Sequence, residues 1–444
     1  MERRHAALDA AMAERDVAHA VLYGANRFGS AIGWLTRWPV TREAVVLHTP
    51  GERDLLLVNF YNHVPNAQLI ATEAEVRWAG ERAIDTAVAA LGARGAATRR
   101  IGMIGSFDHR AHLAIAGVGE PVDMNRDYVA MRLVKSAEEI DWVRIAANMT
   151  NRALAALGAH ARPGVSELEL ADAIERAYVA DGGTTHIHYL GSTPMSRPDL
   201  VVPRQYPTTR RLQTGDALLC ELSASYWEYT GQLLRTFAIG AEPTPLYEQL
   251  HATADAAFDA VSARLKPGAT AEELVEAADV IEDAGFTIRD DLVHGFVGGY
   301  LPPVLGTRSR ALSPIPDFTF ASGMMVVVQP NVVTRDESAG VQTGELLLVT
   351  DGGPERLHTF RRGLVWSKAF HRHRLGGLKS VIAAGLRLAA KSTLDRAESA
   401  GSKCNMCARW LPGRSRLPSG SKTCMCAATS SRAFCFERLR SPTS

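Results

Sequence analysis

Two neighbouring segments rich in apolar residues each carry one polar side chain that could do chemistry. GDALLCELSASY contains Glu221, and TGQLLRTF, which follows after a short turn, contains Gln232. The alternation of apolar residues predicts two adjacent strands. Hydrolytic sites often place two carboxylates in such positions and use them as acid and base. Here one of the two side chains is an amide, so the pair supplies at most one negative charge.

Histidines provide further candidate groups. His294 lies in the glycine-rich segment LVHGFVGG. Because glycine has no side chain, backbone and ligand can approach each other closely there. His186 and His188 alternate in TTHIHYLGS, so they are predicted to share one strand face, with Ile187 on the other. Imidazoles move protons near neutral pH, and we expect His294 and His188 to be catalytic. A metal site, or ordinary hydrogen bonding at the surface or in the core, is the alternative for His186 and His188.

Composition divides the chain into two parts of different character. The 444 residues carry a net charge of +1, yet residues 366–444 hold 15 Lys or Arg against 3 Asp or Glu, and five of the six cysteines. The hydrophobic share of 46% and charged share of 22% are those of a globular protein with two or three domains. No segment has the pattern of a membrane span or a signal peptide. With Cys220 alone before the tail, we expect a cytoplasmic protein that disulfides do not stabilise.

The order of elements predicts an α/β domain followed by an internal duplication. Strand-like and helical segments alternate over residues 1–130. Ser136 and Glu139 then open a long helix with capping-box spacing. RPGVSELELADAIERAYVADGG from Arg162 is echoed by KPGATAEELVEAADVIEDAGF from Lys266, and β-like segments follow each copy. The echo predicts two similar halves with a site between them, although similar amphipathic helices can also arise by chance.

Six segments of the chain resemble the creatinase, aminopeptidase P and methionine aminopeptidase family, whose catalytic domain is the duplicated pita-bread fold. They are MRLVKSAEEIDWVRIAA, RPGVSELELADAIE, GDALLCELSASYWEYTGQLLRTFAIG, LVHGFVGG, GMMVVVQPNVV and GVQTGELLLVTDGG. The resemblance implies the fold class α/β (α+β). It places a creatinase-like N-terminal α/β domain at residues 1–130 and a pseudo-symmetric pita-bread domain at 131–365. It also implies a homodimer in which one N-terminal domain covers the partner's site.

The positions that bind metal in the family's metallopeptidases have changed here. Those enzymes hold two metal ions with two aspartates, one histidine and two glutamates. The corresponding positions are Glu221, Gln232, His294, Gln329 and Gly344, the last followed by Glu345. A pair of divalent cations needs several anionic oxygens, which amides and glycine do not supply. A second histidine followed by glutamate is also replaced, by Tyr300-Leu301-Pro302. We therefore expect no metal and no other cofactor.

Creatinase is the family's precedent for a metal-free site, because it hydrolyses a C–N bond of a small guanidino acid with protein groups. The resemblance therefore implies a metal-independent hydrolase of a small molecule that bears a carboxylate or an amide. Creatine itself is not the expected substrate, since Leu234 replaces creatinase's guanidinium-binding glutamate and VPRQYPTTRRLQTGD lacks its histidine. The predicted catalytic residues are Glu221, His294 and His188. The predicted substrate-binding residues are Gln232, Gln329, Glu345, Arg37, Arg235 and Tyr300.

Two alternatives to that function remain open at the sequence level. One is a catalytically inactive pita-bread binding or scaffold protein, and the other is an Xaa-Pro-type aminopeptidase.

The basic, cysteine-containing tail over residues 366–444 is predicted to be disordered, or even a translated non-native reading frame. The spacing of Cys404, Cys407, Cys424 and Cys426 leaves a zinc site as the alternative. The tail's charge could attract nucleic acid or acidic surfaces without reading a sequence. We expect neither a specific nucleic-acid partner nor a membrane partner.

Overall fold

Alternating strands and helices form the first part of the chain. The computed structural model describes residues 1–25, 31–97 and 99–366. The first elements are α1 (Glu2–Glu14), β1 (His19–Ala25), α2 (Ala31–Thr36), β2 (Glu43–His48), β3 (Leu55–Val58), a 3₁₀ turn (Tyr61–His63), α3 (Val64–Ile70), β4 (Glu75–Trp78), α4 (Ala83–Ala93), β5 (Arg100–Ile104), α5 (His109–Ala116), β6 (Glu120–Asp123) and α6 (Asn125–Leu133). The alternation of strands and helices that the sequence pattern predicts for this part is confirmed.

The N-terminal strands form one six-stranded mixed sheet with the order β4-β3-β2-β1-β5-β6. β2 pairs antiparallel with β1 and β3, whereas the other neighbours are parallel. Alternate residues of β1 enter different hydrophobic clusters: Leu22 packs with Leu8 and Met12 of α1, and Val21 packs with Leu91 of α4. Helices therefore cover both faces, which explains why these strands are apolar without strict alternation.

The second part begins with a long helix and continues as a duplicated set of helices and strands. Its elements are α7 (Ala137–His160), α8 (Glu167–Arg176), a 3₁₀ turn (Val179–Asp181), β7 (Thr184–Pro194), β8 (Asp216–Tyr226), β9 (Tyr229–Ile239), α9 (Pro245–Arg264), α10 (Ala271–Ala277), α11 (Val280–Asp283), β10 (Thr287–Ile288), β11 (Val293–Gly295), β12 (Leu301–Leu305), β13 (Met325–Val328), β14 (Val332–Val333), β15 (Gly344–Thr350), β16 (Gly353–Arg356) and β17 (Val365–Trp366).

Capping boxes start the equivalent helices of the two halves. At α8 the Ser166 hydroxyl accepts from the Glu169 backbone N–H, and the Glu169 carboxylate accepts from the Ser166 N–H. Thr270 and Glu273 make the same reciprocal bonds at α10. Each box satisfies backbone donors that a helix start would otherwise leave free. In both halves the capped helix follows a long one, as the sequence echo predicts.

Most strands of this part form a curled, mainly antiparallel sheet with the order β12-β11-β13-β15-β9-β8-β7, and β10 and β14 pair separately. β16 pairs with β15, and β17 pairs with β9. α7 packs directly on β8 and β9, where a Cβ atom at Gly231 would lie 2.5 Å from the Ala147 Cα atom. The Thr150 hydroxyl donates to the Gly231 carbonyl at 2.6 Å. The absence of a side chain at Gly231 thus lets helix and strand touch.

The predicted domain limits at residues 130 and 365 remain predictions. The expected disorder and the alternative zinc site of the tail fall on residues 367–444, outside the described residues. Among the described helices, none is both long and apolar enough to cross a bilayer.

Candidate functional site

The β8–β9 hairpin brings Glu221 and Gln232 to the same face of the curled sheet. Register pairs Glu221 with Leu234 and Ser223 with Gln232, so Glu221 and Gln232 are diagonal neighbours. The Gln232 Nε2 amide donates to Glu221 Oε1 at 2.7 Å. Both side chains are buried, with exposures of 8% for Glu221 and 1% for Gln232.

The second half of the duplicated domain extends this hydrogen-bonded chain. Gln329, which follows β13, accepts from Gln232 Nε2 at 3.2 Å through its own Oε1. Its Nε2 then donates to Asp291 Oδ1 at 2.7 Å. The four side chains Glu221, Gln232, Gln329 and Asp291 form one buried row, which we call the polar row. It crosses the interface between the two halves.

His294 lies beside the polar row on β11, between β12 and β13. Its ring stacks on Tyr300, with centroids 4.2 Å apart, and it meets Phe296 edge to face at 5.4 Å. Burial lowers the pKa of His294 to about 4. The imidazole is therefore neutral at pH 7, and it brings no positive charge to the neighbouring carboxylates.

Three carboxyl groups give this site its electrostatic character. Burial, with the nearby charges of Asp290 and Asp291, raises the pKa of Glu221 to about 8. Burial and the adjacent Asp291 raise the pKa of Asp290 to about 6, and burial raises that of Asp291. The site therefore holds carboxyl groups that retain protons at a pH where ordinary acids are ionised.

Sequence reasoning missed Asp290, Asp291 and Tyr189. Tyr189 lies directly opposite Glu221 across the β7–β8 pair, and the two acids stand just before β11. Two consecutive acids just before a buried strand could have indicated a functional site. Acids are, however, also common at the ends of ordinary loops. The fold is needed to show that Asp291 joins the polar row and that Asp290 lies close enough to affect the pKa of Glu221.

Glu345 and Arg235 do not join this site. Glu345 follows Gly344 on β15 and pairs with Leu233 of β9. Because side chains alternate along a strand, Glu345 points to the face of the sheet opposite the polar row. There Arg235 donates to Glu345 Oε2 at 2.7 Å, and Arg356 also bonds to Glu345. The predicted substrate-binding pair is thus a buried ion pair on the back of the sheet, with exposures of 0% for Glu345 and 1% for Arg235.

His188 also lies apart from the polar row. It is opposite Leu222 on β8, and its Nε2 atom is 2.8 Å from the Tyr178 hydroxyl on the helical side. A register shift between Thr185 and Ile187 breaks the alternation of β7, and His186 instead meets Phe296 at 5.8 Å. The prediction that both histidines share one face is wrong because of this bulge.

Arg37 and Tyr300, two further predicted substrate-binding residues, have different surroundings. Arg37 lies in the N-terminal domain, with its guanidinium 3.7 Å from Glu73. Its role across a dimer interface remains a prediction, as does the homodimer itself. Tyr300 is 56% exposed at the edge of the site, where it caps the His294 ring.

The residues present do not fit a pair of metal ions. The Nε2 groups of Gln232 and Gln329 point along the polar row as donors, and N–H groups repel a cation. A Cβ atom at Gly344 would lie 2.7 Å from the Gln329 Cβ atom and from the Val328 carbonyl oxygen. The space for a fifth ligand is therefore closed. In the described part of the chain, neither Glu221 nor His294 belongs to a group of three potential ligands within 4.8 Å.

The chain is similar to a family of peptidases. Residues 141–351 match the model of metallopeptidase family M24. An Xaa-Pro dipeptidase of Pyrococcus furiosus is 24% identical over 239 residues, which are 53% of this chain and 66% of the relative. An uncharacterised peptidase of Bacillus subtilis is 26% identical over 55% of this chain and 67% of its own length. The match thus spans just under two thirds of the Pyrococcus protein.

Solved structures of these peptidases share the fold of the chain. An Xaa-Pro dipeptidase from Bacillus anthracis gives a TM-score of 0.70 at 22% identity, and covers 82% of this chain and 99% of its own. An X-Pro aminopeptidase from Thermotoga maritima gives 0.70 at 17% identity with the same coverage. The predicted pita-bread fold, with its α/β domain in front, is confirmed.

The predicted function is corrected by the same findings. A metal-independent, creatinase-like hydrolase of C–N bonds in a small molecule is wrong, because the matching model is that of a metallopeptidase family. The named relatives, moreover, are Xaa-Pro dipeptidases. The alternative of an Xaa-Pro-type aminopeptidase agrees better with these findings.

Proposed function

Because residues 141–351 match the model of metallopeptidase family M24, we propose that this chain binds short peptides with a free amino terminus at the polar row. In this proposal the site binds peptides and does not hydrolyse them with two metal ions. The main observation in support is the cluster of three carboxyl groups, Glu221, Asp290 and Asp291, near the neutral His294. The peptide class follows from the similarity to Xaa-Pro dipeptidases.

The charges of the site suit an ammonium group. The charged groups that shift the pKa of Glu221 are Asp290 and Asp291, and both are acidic. A cation between these carboxyls would relieve their repulsion and favour their ionised forms. The α-amino group of a peptide is such a cation at neutral pH, with a pKa of about 8.

Hydrogen-bonding groups are also available for the peptide. Gln232 Oε1 and the Ser223 hydroxyl are buried, and neither has a hydrogen-bond partner within the described residues. Both lie on the Glu221 face of the β8–β9 hairpin, where register pairs the two residues. An ammonium or a peptide N–H can satisfy Gln232 Oε1, which would otherwise carry the cost of a buried unpaired acceptor.

A second candidate function is metal-dependent hydrolysis of Xaa-Pro dipeptides. The M24 match and the names of the relatives favour it. The amides at positions 232 and 329 and the closed space at Gly344 disfavour it. No catalytic step through a metal follows from these residues.

Calorimetry with alanyl-proline and N-acetyl-alanyl-proline tests the proposal. We expect the free dipeptide to bind, and the acetylated one to bind at least about tenfold more weakly, the effect of losing about 1.4 kcal/mol. Asp291→Asn should weaken only the free dipeptide. The exposed Glu248→Gln variant is the matched control.

The same samples, supplied with Mn²⁺ or Co²⁺, separate the two candidate functions. Release of free proline would establish hydrolysis and overturn binding as the function. Equal affinity for both dipeptides, or no measurable affinity for either, would refute the ammonium site.

A further inference from the structure

Two histidines and one aspartate meet at a buried corner of the N-terminal domain. His5 is on α1, His48 ends β2, and Asp54 stands just before β3. The β2–β3 connection folds back, and so brings Asp54 next to His48, while α1 packs across them. The potential ligand atoms of the three residues lie within 4.8 Å of one another.

We propose that His5, His48 and Asp54 bind one divalent transition-metal ion, with zinc as the preferred ion. Two imidazoles and one carboxylate are ligands that zinc accepts, and calcium and magnesium favour all-oxygen sets. The inference does not depend on the peptide-binding proposal, because the two sites share no residue.

The contacts already present orient both histidines for such an ion. His5 Nε2 is 2.8 Å from Asp54 Oδ2, and His48 Nδ1 is 2.6 Å from Asp54 Oδ1. The other ring nitrogen of each histidine faces an oxygen. His48 Nε2 is 2.7 Å from Asp9 Oδ1, and His5 Nδ1 is 3.4 Å from the Met1 carbonyl. Metal-binding histidines characteristically donate their second N–H group to such an acceptor, which fixes the ring.

Burial and access also agree with a metal site. His48 and Asp54 have exposures of 3% and 4%, so solvent competes weakly for their ligand atoms. A surface opening lined by Met1, Thr36 and Glu73 reaches His5 and Asp54. Ligand atoms around tetrahedral zinc are about 3.3 Å apart for bonds of about 2.0 Å. The two nitrogen–oxygen contacts, now 2.8 and 2.6 Å, would thus each lengthen by roughly half an ångström or slightly more, and water could fill the fourth position.

The ion would fasten α1 to the β2–β3 turn. Without it, the same side chains form close contacts between the imidazole rings of His5 and His48 and the carboxylates of Asp54 and Asp9. A true metal site binds the ion tightly, whereas a set of contacts that is merely structural does not, so a metal titration distinguishes the two.

The test is a titration of the full-length, tag-free protein with Co²⁺ and Zn²⁺. We expect one Co²⁺ per chain, visible absorption bands of a low-symmetry site, displacement by Zn²⁺, and a melting temperature that rises with Zn²⁺. His5→Gln and Asp54→Asn should each weaken binding at least tenfold. His5 is partly exposed, with 24% of its side chain accessible, so this variant is expected to fold.

Two control variants assign the ion to this corner. His109→Gln changes an exposed histidine of α5 in the same domain, and it should bind as the native protein does. His294→Ala should also retain the ion, because His294 belongs to the other site. If the native protein binds neither Co²⁺ nor Zn²⁺, or if His5→Gln and Asp54→Asn bind the ion as tightly as the native protein does, the proposal fails.

Discussion

Replacing Glu221 by glutamine should make the protein more stable in alkaline solution. Glu221 is a buried acid that accepts one hydrogen bond from Gln232, and glutamine can accept the same bond with its own oxygen. The substitution therefore removes a titrating group while the shape and the hydrogen bond remain. It isolates the free energy of holding this carboxyl group inside the site.

The magnitude follows from proton linkage. The pKa of Glu221 is raised by burial from an ordinary 4.5 to about 8 in the fold. Below pH 4.5 both the folded and the unfolded states hold the proton, so its contribution to stability is fully present. As the pH rises towards 8, the unfolded chain releases the proton first, and stability is lost. The whole interval corresponds to about 5 kcal/mol as an upper estimate, of which about 4 kcal/mol lies between pH 5 and 9.

Thermal or urea unfolding at pH 5, 7 and 9 measures this effect. The free energy of unfolding of Glu221→Gln, minus that of the native protein, should rise by up to about 4 kcal/mol from pH 5 to pH 9. Glu248→Gln, at an exposed position of α9, should show no such trend. A flat difference, or a variant that becomes less stable than native at pH 9, would refute the buried, protonated state of Glu221.

Three further outcomes follow from particular contacts. Glu345→Gln should destabilise the fold by about 3–5 kcal/mol in urea unfolding, because Arg235 would keep a buried charge with a weaker partner; a loss below about 1 kcal/mol would contradict this. Thr270→Ala should cost about 1 kcal/mol through loss of the α10 cap, and Thr270→Ser should restore it. Affinity for a free dipeptide should pass through a maximum near pH 7–8, since low pH protonates Glu221 and high pH neutralises the peptide amine; a profile without an acidic limb would contradict it.

Much of the fold was predictable because its signals are local. Capping boxes at Ser136, Ser166 and Thr270 are defined by three-residue spacings, and all three form in the structure. The alternation of GDALLCELSASY and TGQLLRTF likewise predicts β8 and β9. Short edge strands such as β4 (EVRW) and β6 (EPVD) are harder to predict, because they have little apolar pattern.

The site was less predictable, because it depends on strand register. A one-residue difference places Glu345 behind the sheet and leaves Gly344 at the front, although both residues belong to β15. A β-bulge in β7 removes the alternation that would place His186 and His188 on one face, and no residue type in this segment predicts it. Asp290 and Asp291 precede β11, which two strands separate from the hairpin in the sheet, so their proximity to Glu221 depends on the curl of the sheet.

The polar row lies in the part of the chain that matches metallopeptidase family M24, and it contains residues that differ from that family's metal ligands. Gln232 donates to Glu221, and Gln329 donates to Asp291 while it accepts from Gln232. A carboxylate at position 329 would lose the donor to Asp291 and place two acids 2.7 Å apart, which is unfavourable unless a cation or proton lies between them. A glutamate at position 344 alone would collide with Gln329. Because each replacement depends on its neighbours, a metal centre requires concerted changes in both halves. The present row is therefore a self-consistent arrangement, and the proposed ammonium ligand would require no such changes.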